Sequence, residues 1–343
     1  MAQQHSEKLI NHLRQRIADA GGWISFADYM QQILYAPGLG YYSAGAHKLG
    51  AAGDFITAPE VSPLFGSCVA AQCADILRQS GGNTIVELGA GTGALAQAVI
   101  REFPPAKYRI VEVSADLRQR QATCLADIAS SEVSWAEGPD DLPTFNGVLV
   151  ANEVIDALPV ERFRMVSGEV HALGVALDNE RFVSETRIAG QPLIDAVRKI
   201  EDQLDRRLPD GYESEIRPQL ADFIGRWAAK ITRGAMIWID YGCSRAEYYA
   251  AERGCGTLMC HYRHRAHSDP FVYPGLQDIT AWVDFTALAE AGLASGMRMS
   301  GYTTQAHFLL GCGIDQLYDT MRRATDDAAE HIALNEQLRR LMM

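Results

Sequence analysis

The residues best equipped for chemistry lie in one short stretch, VELGAGTGAL at 86–95. Gly89, Gly91 and Gly93 follow a β-prone apolar run and open a helical one. In that setting Gly89 permits a tight strand-to-helix turn, while Gly91 and Gly93 let a ligand approach the backbone closely. With Ala94 the same spacing satisfies the GxGxxG/A rule for dinucleotides. Glu112 ends the next predicted strand, about 20 residues on, where a carboxylate can accept both ribose hydroxyl protons of an adenosine-type ligand. These features serve NAD and S-adenosylmethionine equally. Glu87 separates them: at the mouth of the strand its carboxylate would repel a pyrophosphate and attract a sulfonium and an ammonium group. The competing reading is a ligand-free glycine turn with a surface glutamate. Trp135, ending the third predicted strand, is placed either to stack on adenine or to pack in the core.

A second cluster lies in LVANEVIDALPVERF, which leaves the fourth predicted strand at 149–163. Asn152, Glu153 and Asp156 fall at the carboxyl edge, where open α/β sheets bind ligands. Glu153 and Asp156 are spaced i, i+3 and would share a face of a helical turn. Two carboxylates can hold a guanidinium by charge-assisted hydrogen bonds, aligning a nitrogen with a methyl group and drawing the delocalised charge away from it. Asp156 as a loop brace beside an exposed Glu153 is the alternative.

The elements that must position these residues alternate. NTIVELGAG, YRIVEVS, VSWAE and GVLVANE read as strands, with helices TGALAQAVIREF and ADLRQRQATCLADIA after the first two. That rhythm predicts a doubly wound, mostly parallel α/β sheet of the seven-stranded methyltransferase type. Before it, residues 1–80 read as an N-terminal helical lid module in which Ser25 caps a helix from Phe26 and Pro37-Gly38 ends it. The main domain spans 81–320 and carries an α+β insertion at 160–231, with a small antiparallel meander over 160–185 and helices at 192–206 and 214–231. GAMIWIDYG restores the buried-strand pattern, MRMSGYTTQAHFLL reads as a late strand pair, and the tail, 321–343, is helical.

Composition narrows the class. Apolar residues at 48% and charged residues at 22% of a 343-residue chain suit a globular protein with a sizeable core. A net charge of −12, without a local basic patch, disfavours nucleic acid. No apolar run suffices for a membrane span. The N-terminus lacks a secretory h-region, and Glu7 and Asp19 disfavour a mitochondrial presequence, so the expected location is cytoplasmic. Cys255, Cys260, His261, His264 and His267 are ligand types in no usual zinc spacing, and no metal is expected. His264 or His267 as a base is less favoured than a hydrogen-bonded loop role.

These residues resemble the MidA-like methyltransferases, a family related to the mitochondrial complex I assembly methyltransferase. The resemblance spans nearly the whole chain and rests on FADYMQQILYAPGLGYY, GDFITAPEVSPLFG, VELGAGTGAL, ANEVIDALPV, WIDYG and YPGLQDITAWVDF. It implies a class I methyltransferase fold, S-adenosylmethionine as donor, and a protein arginine as acceptor, with symmetric dimethylation of a respiratory complex I subunit as in the mitochondrial relative. It places Asp54 and Thr57 near the cofactor and Tyr241 on the cleft. Val154-Ile155 departs from the aromatic pair common in the family. Members also tend to continue past the position of Met343 into a β-prone segment, so an unpaired sheet edge is expected. A small-molecule acceptor, and a non-catalytic assembly factor that keeps the cofactor fold, remain alternatives.

Overall fold

The computed structural model describes residues 2–43, 57–128 and 131–343. They divide into two compact units, each assembled from separate stretches of chain. One holds the N-terminal part of the chain, Ile155–Gly225 and Asp240–Ser295; the other holds the stretch through Val154, Arg226–Ile239 and Gly296–Met343.

The second unit contains the expected doubly wound sheet. Its strands are β1 Thr84–Leu88, β2 Lys107–Val111, β3 Glu132–Ala136, β4 Phe145–Asn152 and β5 Ile231–Ile239. They lie in the order β5-β4-β1-β2-β3, and every pairing is parallel. The order reverses between β1 and β4, whose ends stand in register with Leu88 opposite Ala151. The crevice outside their carboxyl ends is where such sheets take ligands. Helix α1, Pro63–Ser80, starts at a Ser62 cap with Pro63 in its first turn and stops at Gly81 in the left-handed region. Helix α2, Ala94–Glu102, begins directly after Gly93, and helix α3, Ala115–Cys124, is capped by Ser114. Leu64, Phe65, Val69, Leu95, Val99, Ile85 and Val148 form the core between these helices and the sheet. Continuous burial of β1 explains its unalternating apolar sequence.

The expected late strand pair is absent among the described residues. Residues 296–304 form no strand, and Gln305–Gly311 is a helix whose Thr304 cap accepts from the His307 amide. Leu309 enters the core of this unit, a long-range contact that the local β propensity could not reveal. The sheet therefore has five strands among the described residues, with β5 at one edge.

The first unit holds the antiparallel meander: Glu161–Val166, Glu169–Asp178 and Arg181–Ile188, joined by turns in which Ser167-Gly168 and Asn179-Glu180 all have positive φ. Trp23–Ser25 and Glu213–Ile216 extend this sheet. The latter corrects the helix expected from 214. Ser214 and Glu215 are fully buried in strand pairing, and the helix runs only over Leu220–Ala228, beyond Pro218. The helix Phe26–Tyr35 is capped by Ser25 as its sequence indicates, and packs Tyr29, Met30 and Ile33 with Leu9, Leu13, Val160 and Val175.

Candidate active site

The glycine turn is built as the spacing predicted. Gly89, Gly91 and Gly93 have φ of 61°, 53° and 87°, a region that side-chain-bearing residues enter at a cost. A Cβ on Gly89 would stand 3.3 Å from the Val154 Cγ2 methyl, and one on Gly93 3.4 Å from the Gln121 Cα. The turn is therefore tight on its protein side as well as bare towards a ligand.

One side chain that the sequence did not single out organises this region. Gln121, on α3, is fully buried. Its amide nitrogen donates to the Gly91 carbonyl (3.0 Å) and to Glu112 Oε2 (3.1 Å), and its amide oxygen accepts from the Trp135 indole (2.9 Å). It ties together the glycine turn, the acidic strand end and the aromatic residue, three features predicted separately. Glu112 also accepts from the Ser114 amide at 2.9 Å. Burial pushes the Glu112 carboxyl up, against these hydrogen bonds and the Arg118 charge, which pull it down. A carboxylate so held still has lone pairs to offer two hydroxyls. Nothing in RQRQATC distinguishes Gln121 from Gln119; only the fold selects it.

A second organiser is Glu60. Its carboxylate accepts from the Thr57 amide (3.3 Å) and from the Thr92 hydroxyl (3.1 Å), joining the segment before α1 to the glycine turn. The T-x-x-E spacing of a capping box was the available signal. Thr57 thus lies in the same unit as the turn, while Asp54 falls outside the described residues.

Glu87 differs from its expected place. It is only 3% exposed, and the Tyr108 hydroxyl donates to its Oε2 at 2.7 Å. Burial raises its pKa from 4.5 to about 7, so at neutral pH its charge is partial. The electrostatic case against a pyrophosphate is weakened accordingly. A carboxyl with a raised folded-state value favours the protonated protein. Glu87 therefore costs no stability below its ordinary value, a growing amount as pH rises towards about 7, and the full amount above it. Glu87→Gln lacks that cost. Its stability relative to the wild type should be higher at about pH 8 than at about pH 5 by roughly 2–3 kcal/mol in urea unfolding, and a difference independent of pH would count against the burial.

At the end of β4, Asn152 donates from Nδ2 to Glu153 Oε1 at 3.3 Å, while its Oδ1 is buried without a hydrogen-bond partner among the described residues. Glu153 has φ of 53°, an uncommon conformation for a residue with a side chain, and its amide donates to the Ile239 carbonyl at 2.8 Å. The expected helical turn sharing Glu153 and Asp156 is not formed, because Glu153 is left-handed. The chain passes between Val154 and Ile155 from one unit to the other, so Asp156 belongs with the antiparallel sheet. There it is 2% exposed. The Tyr241 hydroxyl donates to its Oδ2, and among the described residues its Oδ1 has no hydrogen-bond partner. Burial pushes its carboxyl up, while Tyr241, the Arg217 charge and the Ala157 and Asp156 amides act to lower it.

The residues present suit a cationic nucleoside: a bare glycine turn, a carboxylate for a ribose and an indole held at the same turn. No group of three or more His, Cys, Asp or Glu placed to hold a metal occurs among the described residues. No helix among them is long and apolar enough to cross a membrane.

Comparison with known proteins supports this reading. A solved protein from Burkholderia thailandensis, a COG1565 superfamily member bound to S-adenosyl-homocysteine, is 41% identical over 99% of this chain and 89% of its own, with a TM-score of 0.92. The zebrafish Danio rerio protein arginine methyltransferase NDUFAF7, mitochondrial, is 28% identical over 94% of this chain and 80% of its own length. The rat counterpart is 29% identical over 91% of this chain and 75% of its own, and the Drosophila melanogaster homolog 28% over 88% and 74%. All three are named mitochondrial, which overturns the expected cytoplasmic location. S-adenosylmethionine is the cofactor, and the pyridine-dinucleotide alternative falls. Residues 68–303 match the family described as "Putative S-adenosyl-L-methionine-dependent methyltransferase", and the chain belongs to that methyltransferase family.

Proposed function

We propose that this methyltransferase acts on arginine in a protein partner, a respiratory complex I subunit or a similar assembly partner, and carries it to symmetric dimethylarginine. The observation that carries the reading is Asp156: a buried carboxylate with one oxygen held by a tyrosine and the other without a hydrogen-bond partner among the described residues. A guanidinium presents several N–H donors in a plane and brings the positive charge that a desolvated carboxylate lacks. The names of the arginine-methylating relatives agree with this acceptor class.

Bound S-adenosylmethionine supplies a methyl group on a positively charged sulfur. In this reading Glu112 holds the ribose, Trp135 the adenine, and Gly89, Gly91 and Gly93 the backbone-facing side, with Thr57 and Glu87 completing the cofactor region. Asp156 holds the acceptor guanidinium, orienting one nitrogen and localising the charge on the others. A carboxylate beside the reacting nitrogen can accept the proton released as the methyl group is taken up.

Incubating the purified protein with methyl-labelled S-adenosylmethionine and mitochondrial complex I subunits should place label on arginine, resolved by mass spectrometry as symmetric dimethylarginine. Label confined to small metabolites would defeat the protein-acceptor reading.

A further inference from the structure

Asp240 follows directly after β5 and belongs to the same compact unit as Asp156. Its Oδ2 accepts the amides of Ile155 (3.0 Å) and Asp156 (3.2 Å), some 85 positions earlier in the chain, and its Oδ1 accepts the Tyr241 amide at 2.9 Å. Tyr241 then returns its hydroxyl to Asp156 Oδ2. On the other side, the Asp156 carbonyl accepts from the Ala281 amide and from Arg217 Nη2, both at 3.0 Å. Arg217 also donates to the Ala281 and Trp282 carbonyls. Asp156 is thus fixed at its amide, its carbonyl and one carboxylate oxygen.

The neighbouring ionisable groups have partners of their own. Tyr42, whose phenol burial pushes up with further contributions from Asp278, Tyr35 and Asp156, donates to Asp278 Oδ1 at 2.9 Å, and Tyr35 donates to the Ala157 carbonyl at 3.0 Å. Arg217 is engaged with backbone carbonyls. Asp156 Oδ1 is the carboxylate oxygen with no hydrogen-bond partner among the described residues, the one still open to a donor from outside.

We infer that Asp240 and Tyr241 are positioning residues for methyl transfer: Asp240 pins the Ile155–Asp156 backbone and aims the Tyr241 hydroxyl, which commits Asp156 Oδ2 and reserves Oδ1 for an N–H of the cationic acceptor. The inference rests on the arginine reading above and adds the device that orients its carboxylate. Because the tyrosine bond favours the ionised carboxylate, its loss favours the neutral form, which a cation binds poorly.

The test uses the full chain and the variants Tyr241→Phe, Asp240→Asn and Asp240→Ala. Carbon-13 labelling of aspartate reads the Asp156 carboxyl, assigned by its disappearance in Asp156→Asn. Tyr241→Phe should move its titration midpoint up by about one unit, and lower turnover most at the acidic end of the pH profile. Asp240→Ala should lower kcat by roughly tenfold or more, with Asp240→Asn in between because an amide oxygen still accepts the two N–H groups, and S-adenosylhomocysteine affinity should stay within about twofold. An unmoved midpoint in Tyr241→Phe would overturn the inference. So would full turnover in Asp240→Ala, or a parallel loss of S-adenosylhomocysteine binding. If the wild type methylates no protein arginine, the functional reading fails, while the midpoint shift still decides the positioning by itself.

Discussion

Gly91→Val is expected to raise the dissociation constant for S-adenosylhomocysteine by about 100-fold or more, equivalent to nearly 3 kcal/mol, in calorimetric titration. Gly91 holds φ at 53° in a turn whose carbonyl is fixed by Gln121. A β-branched residue is an outlier in that region, at a cost of order 1–3 kcal/mol. Its side chain also takes space that a ligand needs. The fit of the turn to its surroundings, with a Cβ on Gly89 only 3.3 Å from Val154, leaves little room for adjustment. A useful comparison is Gly81→Ala, at the left-handed end of α1 with open space around it. That change should cost about 1 kcal/mol of stability and leave cofactor affinity unaltered. Equal affinity in Gly91→Val and wild type, with circular dichroism unchanged, would remove the glycine turn from the cofactor site.

The second large effect concerns the acceptor. Asp156→Asn should lower the methylation rate by about 10²–10³-fold while S-adenosylhomocysteine affinity changes by less than about threefold. The substitution keeps the shape, so the Tyr241 hydroxyl can still find the amide oxygen, but it removes the charge and offers two new donors where an acceptor is required. Because burial raises the Asp156 pKa, the wild-type rate should already fall with acidity at pH values above the usual aspartate range. In Asp156→Asn that limb should vanish from the profile. Glu153→Gln should act in the same direction and more weakly, since Glu153 lies partly open at the end of β4. Retention of full activity in the Asp156→Asn, Glu153→Gln double variant would favour a binding role over catalysis.

Legibility in the sequence followed the range of the forces involved. The Ser25 cap and the glycine turn are local conformational requirements, and the residues that meet them identify themselves. The parallel sheet was legible because buried strands such as β1 and β4 carry short continuous apolar runs, Ile85-Val86 and the stretch from Val148 to Ala151. What escaped depends on distant partners. Gln121 reads as one more polar residue on a polar helix until α3 is set beside the glycine turn. Asp240 reads as the polar end of a strand until it meets amides 85 positions away. Glu87 reads as a charged carboxylate at the strand mouth, because its burial under Tyr108 is a tertiary event. The helix at Gln305–Gly311 was mistaken for strand since its β-prone run is held helical by a cap and by burial of Leu309.

The interleaving of the two units bears on how the protein is made. β5, which flanks β4 in the parallel sheet, is encoded after Ile155–Gly225, and the antiparallel unit is in turn completed by Asp240–Ser295. A ribosome delivering this chain from its N-terminus therefore finishes the parallel sheet only when β5 has emerged, after every strand of the antiparallel sheet, the last ending at Ile216, is already out. Early strand edges must wait for partners in that interval, which makes the nascent protein a natural client for chaperones and leaves no contiguous fragment that reproduces either half.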